Sequence, residues 1–495
     1  MDHISNGKAN KLDLKVSLKR RLTLLNSISL IAGSIIGSGI FVSPKSVLEH
    51  SGTPALALLI WFMCGIFSFF GAVCYVELGL TIPKSGSQYI YVMEAFGPLP
   101  SFLVLWIDLI LKEPIAKSVT SLAVARYLIE PFFHNSQAYI CEVIIAVCTL
   151  TLLTYINSVS VKLGVRIQDS FFYTKLIALA MIIFIGLIQL SNGHRETLKA
   201  GLYLKPESPV KIGLAFYSGL FAYSGWEALN MSCEEVKNLK RNLPAAIYIS
   251  LGIVTIVYTL ANISYFTVLS SQDIIDSEIV AVTFVKHTLP VLRYIMPFLV
   301  TCSIVGSLNS TVFHSGRMYF SAAREGHLPT LFGMLSIKSM TPIPALLLDC
   351  ITSIVVLALS GNDITKMLEF YGFLRSAALA SGVVALLWLR YKRPMLMRPK
   401  KFPIIFPIIF LLMSLFMTFV PLYQNYVMGL ITLALLLLGA VVYRLFIHKE
   451  KFNRARKHLL GRCMVNFTET SQKILKVIPC EVEPDYEKLL LEMSR

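Results

Sequence analysis

Charged residues are scarce in this chain: Asp, Glu, Lys and Arg make up 15% of its 495 residues, while 55% are hydrophobic. A soluble domain carries about 25% charged residues. The deficit excludes an ordinary soluble domain, because much of the surface must face something other than water. Apolar stretches of about 18 residues or more, long enough to cross a bilayer, recur along most of the sequence. We therefore predict an all-α membrane protein.

Signals of catalysis and of metal binding are also missing. The sequence has no Ser/His/Asp order, phosphate-binding loop or metal-ligand spacing in a suitable place. Its nine cysteines lack zinc-site spacing and mostly lie inside apolar stretches, where they act as small packing residues. A channel would need charge rings or a repeated filter, and neither is seen. We predict no enzyme activity, no cofactor and no metal.

The net charge of +16 is spread over short connectors between apolar stretches. A nucleic-acid partner would require basic residues clustered on one surface, so we predict none. The positive-inside rule explains the pattern instead. It places both termini in the cytosol, although the loop 191–209 is a basic exception on the outer side.

Hydropathy predicts about twelve membrane spans and three regions of the chain. The regions are a cytosolic N-terminal segment (1–22), a transmembrane transporter domain (23–447) and a cytosolic tail (448–495). The predicted spans are 23–49, 54–81, 98–130, 138–161, 166–190, 210–236, 244–270, 290–321, 343–360, 364–391, 403–422 and 428–447.

The first span is interrupted by glycines. Gly33, Gly37 and Gly39 are separated by serines and isoleucines in Gly-Ser-Ile-Ile-Gly-Ser-Gly-Ile-Phe (33–41). Gly33 and Gly37 alone are typical of close helix packing, but Gly-Ser-Gly also lowers helix propensity sharply. Unwound backbone inside a bilayer needs a cavity or a ligand. Because a helix N-terminus attracts a carboxylate and freed carbonyls attract an ammonium, we predict an amino acid ligand.

The sixth span carries a comparable interruption, Phe-Ala-Tyr-Ser-Gly-Trp (221–226), followed by Glu227. Transporters built from inverted repeats have an interrupted span in each half, and spans one and six correspond in a five-plus-five repeat. No residue-by-residue repeat is visible, so this support comes from position alone.

At these residues the sequence resembles the light subunits of heteromeric amino acid transporters, within the amino acid–polyamine–organocation superfamily. The first match is Gly-Ser-Ile-Ile-Gly-Ser-Gly-Ile-Phe-Val-Ser-Pro-Lys (33–45). Within the family, the sequence resembles the cystine/glutamate and b(0,+)-type exchangers. The other matches are Tyr-Val-Glu-Leu-Gly (75–79), Lys-Ser-Gly (84–86), Glu-Ala-Phe-Gly-Pro-Leu-Pro (94–100), Glu-Pro-Phe-Phe (130–133), residues 221–226, Glu-Glu-Val (234–236), Arg-Asn-Leu-Pro (241–244), Ala-Val-Thr-Phe (281–284) and Arg-Glu-Gly-His-Leu-Pro (324–329).

The resemblance implies a LeuT-like fold and an obligatory, sodium-independent amino acid exchanger of the plasma membrane. It implies that Phe221 closes over the substrate as an aromatic gate and that Ser224 lines the side-chain pocket. The remaining residues that it places around the substrate's α-carboxylate and α-amine are Ile35, Gly37, Ser38, Gly39, Ile40 and Ala222.

Lys175 lies about nine residues into the predicted fifth span, too deep for its side chain to reach the interface easily. In sodium-coupled relatives of this fold, a sodium ion bridges spans one and eight. The resemblance implies that Lys175 takes the place of this ion, which fits sodium independence. The alternative is a structural lysine paired with helix-end carbonyls.

The third span carries Asp108, Lys112, Glu113 and Lys117, which offer two i, i+4 ion pairs. Mutual neutralisation is one interpretation. In the other, Glu113 faces the substrate side chain, at a position where related light subunits have Arg or Lys. Glu227 adds a second carboxylate beside the sixth span, which favours cationic side chains.

Three hypotheses for the function follow. The first is exchange of neutral, including aromatic, and cationic amino acids by alternating access. Arg375 in the tenth span matches an arginine of the cystine/glutamate exchanger, so exchange of anionic amino acids is the second. The third is a membrane amino acid sensor that does not transport.

The resemblance also implies a partner, a single-pass type II glycoprotein heavy chain. The family's heavy-chain cysteine follows the Pro-Phe-Phe run, where this chain has Ser136. We therefore expect non-covalent association, in addition to contacts with membrane lipid. Cys141, five residues later, substitutes for the family cysteine only if it is exposed.

Overall fold

The computed structural model describes residues 20–129, 139–193, 208–277, 279–289, 291, 295–359, 364–448 and 468–479. This part of the chain is almost entirely helical. The helices are α1 (Leu24–Ile35), α2 (Gly39–Ser51), α3 (Pro54–Thr81), α4 (Gln88–Phe96), α5 (Pro98–Ile107), α6 (Glu113–Ile129), α7 (Tyr139–Val159), α8 (Val161–Ser191), α9 (Pro209–Ala222), α10 (Leu239–Val268), α11 (Ser271–Asp276), α12 (Val280–Thr288), α13 (Ile295–Arg324), α14 (Ile343–Leu359), α15 (Ile364–Lys392), α16 (Ile405–Gln424) and α17 (Tyr426–Val442).

The described residues also include shorter elements, among them a helical stretch over 468–475. Two stretches of 3₁₀ helix cover Ala228–Glu235 and Thr330–Gly333, and two π-helical turns cover Asp108–Lys112 and Tyr443–Ile447. Strands β1 (Met334–Ser336) and β2 (Val477–Pro479) pair antiparallel, with Met334 opposite Pro479. Part of the C-terminal tail therefore packs against the connector that follows α13.

The helices fit the twelve predicted spans. Among the described residues, eight helices are long and apolar enough to cross a membrane, and the bent pair α1 and α2 forms a ninth such span. The third and sixth spans are split into shorter segments, and α14, the ninth span, has only 17 residues. Large apolar side chains remain exposed on the outer helices, for example Ile144, Phe184, Ile256 and Leu412. Such surfaces are suited to lipid contact, so the chain is a multi-span membrane protein.

The third span differs from the single helix expected over 98–130. Its two helices, α5 and α6, are separated by the π-helical turn Asp108–Lys112. Pro114 follows directly and has no backbone N–H to donate into the preceding turn, which favours an irregular helix there. This turn brings the charged side chains of the span together.

The two interrupted spans lie side by side in the centre of the bundle. α1 packs against α8, α10 and α13, whereas α2 packs against α9 and α3. The chain before α1 is tied to the end of the sixth span, because the backbone N–H of Leu22 donates to the carbonyl of Glu235 at 2.9 Å. The halves of the first span are therefore held by different neighbours.

Candidate functional site

The first break lies between Ile35 and Gly39, where α1 and α2 meet at 42°. The amides at the start of α2 have no preceding helical turn to bond, and the Ser38 side chain does not cap them. Such a helix N-terminus is suited to binding an anion. On the other side of the break, the hydroxyl of Tyr258 donates to the carbonyl of Ile35 at 3.0 Å.

The second break follows α9, which ends at Ala222. Gly225 has a φ of +110°, a conformation that favours glycine. A Cβ at Gly225 would lie 2.8 Å from Cβ of Ser34, so the two breaks are in direct contact. Tyr258 joins them as well, because its hydroxyl also lies 3.2 Å from the carbonyl oxygen of Ala222.

A cavity of about 890 Å³, including space open to solvent, lies between the breaks. Most of the predicted substrate-binding residues line this cavity. The lining also includes residues that were not predicted, among them Ser307, Thr311, His314 and Tyr371. The predicted residues that line it are Ile35, Gly37, Ser38, Gly39, Glu113, Phe221, Ala222, Ser224 and Glu227. Ile40 is buried outside the cavity lining, and Arg375 lines a neighbouring cavity.

Phe221 and Ser224 lie between these two cavities and line both. The ring of Phe221 meets the ring of Tyr371 edge to face, with centroids 6.5 Å apart. The Ser224 hydroxyl donates to the Phe221 carbonyl at 2.6 Å. This carbonyl, left without a helical partner where α9 ends, is therefore satisfied locally.

Lys175 lies against the first break. Its Nζ donates to the carbonyls of Gly33 at 2.5 Å and Ile36 at 2.6 Å. Span eight packs on the same atom, because a Cβ at Gly306 would lie 3.2 Å from Nζ. α8 begins at Val161, five residues before the predicted start, so Lys175 lies nearer the middle of its span. The ammonium thus lies between spans one and eight.

Five charged side chains form an alternating row, here called the charge chain: Asp108, Lys112, Glu113, Lys117 and Asp349. Lys112 Nζ is 2.8 Å from Asp108 and 3.5 Å from Glu113. Lys117 Nζ is 3.5 Å from Glu113 and 2.8 Å from Asp349. Both predicted i, i+4 pairs are present, and all five residues are buried. Of the five, only Glu113 lines the cavity.

Glu227 and Arg375 form a bidentate ion pair. Arg375 Nε and one terminal nitrogen each lie 2.9 Å from a Glu227 carboxylate oxygen. From the sequence alone, Glu227 favours cationic substrates and Arg375 favours anionic ones. In the fold each neutralises the other, so neither presents a free charge to the cavity.

Several residues around the breaks were not predicted from the sequence. The hydroxyl of Ser307 donates to the Ser34 carbonyl at 3.2 Å, and that of Ser303 lies 3.4 Å from the Ile36 carbonyl oxygen. Ser303, Ser307 and Ser310 follow the spacing of one helix face, a signal that was available in the eighth span. Asp349, an acidic residue within the apolar ninth span, was a second such signal.

Cys141, the possible substitute for the family's heavy-chain cysteine, is exposed and unpaired at the start of α7. Cys141 could form a disulfide with a heavy chain only if its side chain were exposed, and this requirement is met. Ser136, which stands where the family has its heavy-chain cysteine, lies outside the described residues.

Comparison with known proteins gives consistent matches over nearly the whole chain. A sequence model of the amino acid permease family matches residues 22–443. The Homo sapiens cystine/glutamate transporter is 40% identical over 94% of this chain and 92% of its own length. The Homo sapiens Asc-type amino acid transporter 1 is 37% identical over 96% of this chain and 90% of its own. The Homo sapiens large neutral amino acids transporter small subunit 2 is 39% identical over 94% of this chain and 87% of its own length. The chain therefore belongs to the amino acid permease family and, within it, to the light subunits of heteromeric amino acid transporters.

Proposed function

We propose that this amino acid transporter is a sodium-independent exchanger of neutral, including aromatic, and cationic amino acids that works by alternating access. The observation that carries the proposal is the cavity between two adjoining helix breaks. An α-carboxylate fits the uncapped N-terminus of α2. An α-ammonium fits the carbonyls of Ile35, Phe221 and Ala222 at the helix ends that line the cavity, because each carbonyl oxygen can accept a second hydrogen bond.

Sodium independence is supported by the position of Lys175. Its ammonium already occupies the space between Gly33, Ile36 and Gly306, where a cation would otherwise bridge spans one and eight. A fixed positive charge there removes the need for an ion. We infer that Lys175 is this substitute, the first of the two interpretations that the sequence leaves open.

The choice of side chain is supported by the charges that remain free at the cavity. Because Arg375 is paired with Glu227, it offers little to a glutamate-like side chain. Glu113 belongs to a row with one more carboxylate than ammonium and faces the cavity. This arrangement favours cationic over anionic side chains. The similarity to a cystine/glutamate transporter favours the alternative, exchange of anionic amino acids.

A panel of labelled amino acids separates these substrate classes. The full-length chain, reconstituted in proteoliposomes, is supplied with arginine, leucine, tyrosine, glutamate or cystine, with and without sodium. We expect uptake of arginine, leucine and tyrosine, and we expect the rate for each to be the same with sodium as without it. Uptake of glutamate or cystine that greatly exceeds the other three would overturn the proposed substrate class.

Glu113→Gln should reduce arginine uptake by about tenfold and leucine uptake by less than about threefold. The substitution removes the carboxylate that faces a cationic side chain but keeps its size, and tenfold corresponds to about 1.4 kcal/mol. Initial rates for the two labelled substrates test this in one preparation. Glu142→Gln, which changes a carboxylate paired with Arg126 away from the cavity, is the matched control. Equal losses of both uptakes would indicate that Glu113 serves the ion pairs alone.

We also propose that a single-pass glycoprotein heavy chain accompanies this chain in the plasma membrane, with both of this chain's termini in the cytosol. Association is expected to be non-covalent. Co-expression with a candidate heavy chain, followed by a non-reducing gel, should therefore show no linked species, while co-purification in mild detergent should retain both. A high-mass band that is lost in Cys141→Ser would instead assign a disulfide to that exposed thiol.

A further inference from the structure

The charge chain contains three carboxylates and two ammonium groups, so with every group ionised it carries one uncompensated negative charge. All five side chains are buried, with relative exposures of 8% or less. A net charge in such surroundings is costly, because the low dielectric provides little solvation. Burial of this row therefore requires one further positive charge.

The two ends of the charge chain are better satisfied than its middle. Asp108 has Lys112 at 2.8 Å and accepts from the Gln88 amide at 3.1 Å. Asp349 has Lys117 at 2.8 Å and accepts from the Ser315 hydroxyl at 2.7 Å. Within the described part of the chain, the partners of Glu113 are the two ammonium groups, each at 3.5 Å. The weakest-held carboxylate is thus the one that faces the cavity, where a missing charge can be supplied.

The described groups that face the row do not supply that charge. Tyr319 on α13, Tyr371 on α15 and Cys350 on α14 face the row, and none is a cation. Arg375 on α15 is neutralised by Glu227, and Arg126 on α6 is paired with Glu142 of α7.

Three further basic groups do not compensate the row. Lys175 is bound to the carbonyls of span one. Arg317 on α13 is paired with Glu235. His314 lines the same cavity as Glu113, but it lies 2.9 Å from the Ser232 hydroxyl and neighbours the cationic Arg317, which disfavours a second positive charge there. None of these described groups compensates the row, so the cavity that Glu113 faces is the route by which a positive charge can reach it.

Resting on the proposed exchange of neutral and cationic amino acids, we propose that this charge is a proton when the substrate is neutral and the substrate's own side chain when it is cationic. A neutral amino acid then crosses with one proton bound within the charge chain, taken up on one side and released on the other. A cationic amino acid crosses without it. Exchange of the two is electroneutral and moves one proton with the neutral substrate.

Proteoliposomes that hold the full-length chain, arginine and a pH-sensitive dye test this directly. Addition of labelled leucine outside should acidify the lumen by about one proton per leucine taken up. Addition of arginine outside should not acidify it, and a potassium–valinomycin potential should leave the leucine rate unchanged. Leucine uptake without acidification, or acidification that requires external sodium, would overturn the inference while leaving the proposed exchange intact. Absence of any exchange would overturn both.

Asp349→Asn links the proton to the charge chain, because it leaves two carboxylates for two ammonium groups. Leucine uptake should then proceed without acidification, and arginine uptake should fall by about tenfold, since the cavity no longer lacks a positive charge. Glu142→Gln, the control outside the row, should keep the proton-to-leucine ratio of the parent chain. A ratio that persists in a folded Asp349→Asn protein would contradict the assignment. If that variant does not fold, the dye measurement on the parent chain still decides the inference.

Discussion

Replacement of Lys175 by alanine is expected to reduce leucine exchange by at least about 100-fold. Nζ is the donor to the carbonyls of Gly33 and Ile36, which belong to the first helix break. Without it, the Gly33 carbonyl loses this donor and the Ile36 carbonyl keeps only the more distant Ser303 hydroxyl at 3.4 Å. A buried acceptor that loses its donor costs about 1–3 kcal/mol, and about 1.4 kcal/mol corresponds to tenfold. The loss falls on the conformation of the break, where the substrate is proposed to bind.

Initial rates of labelled leucine uptake in proteoliposomes measure this effect. Lys162→Ala removes an exposed lysine from the same helix, α8, and should keep the parent rate. Sodium should restore part of the activity of Lys175→Ala, because a cation can then occupy the carbonyl oxygens. A Lys175→Ala rate within about twofold of the parent would contradict the proposed role.

Gly39→Ala should strongly reduce exchange for a steric reason. A Cβ at this position would lie 2.6 Å from Cα and 2.8 Å from Cβ of Ala222, distances that force the backbones apart. α2 and α9 would separate where both breaks line the cavity. Because the clash is with backbone, side-chain rearrangement cannot relieve it, and a loss of at least about tenfold is expected.

Gly252→Ala is the matched control for this substitution. No atom lies within 4 Å of a Cβ at Gly252, which is in the interior of α10. Alanine there should leave uptake unchanged and add up to about 1 kcal/mol of helix propensity. Thermal unfolding in detergent, measured alongside uptake, separates a local effect from general destabilisation. Equal uptake by the two variants would show that close approach at Gly39 is not required.

Features set by local sequence were predictable. Long apolar stretches gave the twelve spans, and Gly-Ser-Gly at the first break lowered helix propensity enough to indicate an interruption. The ion pairs Asp108–Lys112 and Glu113–Lys117 followed from i, i+4 spacing. Each of these depends on residues a few positions apart, for which helix geometry fixes the neighbours.

Features that depend on distant segments were not predictable from one sequence. Glu227 and Arg375 are separated by 148 positions, so their ion pair could not be distinguished from two opposed charges in the pocket. The contact of Lys117 with Asp349 likewise joins spans three and nine. Without it, the third span carries two complete ion pairs and no excess charge. The role of Lys175 as a sodium substitute stays a prediction, although its position between spans one and eight supports it.

Trans-stimulation of efflux tests the proposed exchange most directly. Proteoliposomes with the full-length chain are loaded with labelled leucine and diluted into sodium-free medium with or without unlabelled arginine outside. An exchanger releases the label many-fold faster when arginine is present, and added sodium makes no difference. Release that is unaffected by external arginine, in a preparation that still binds leucine, would indicate a membrane sensor and contradict the proposed function.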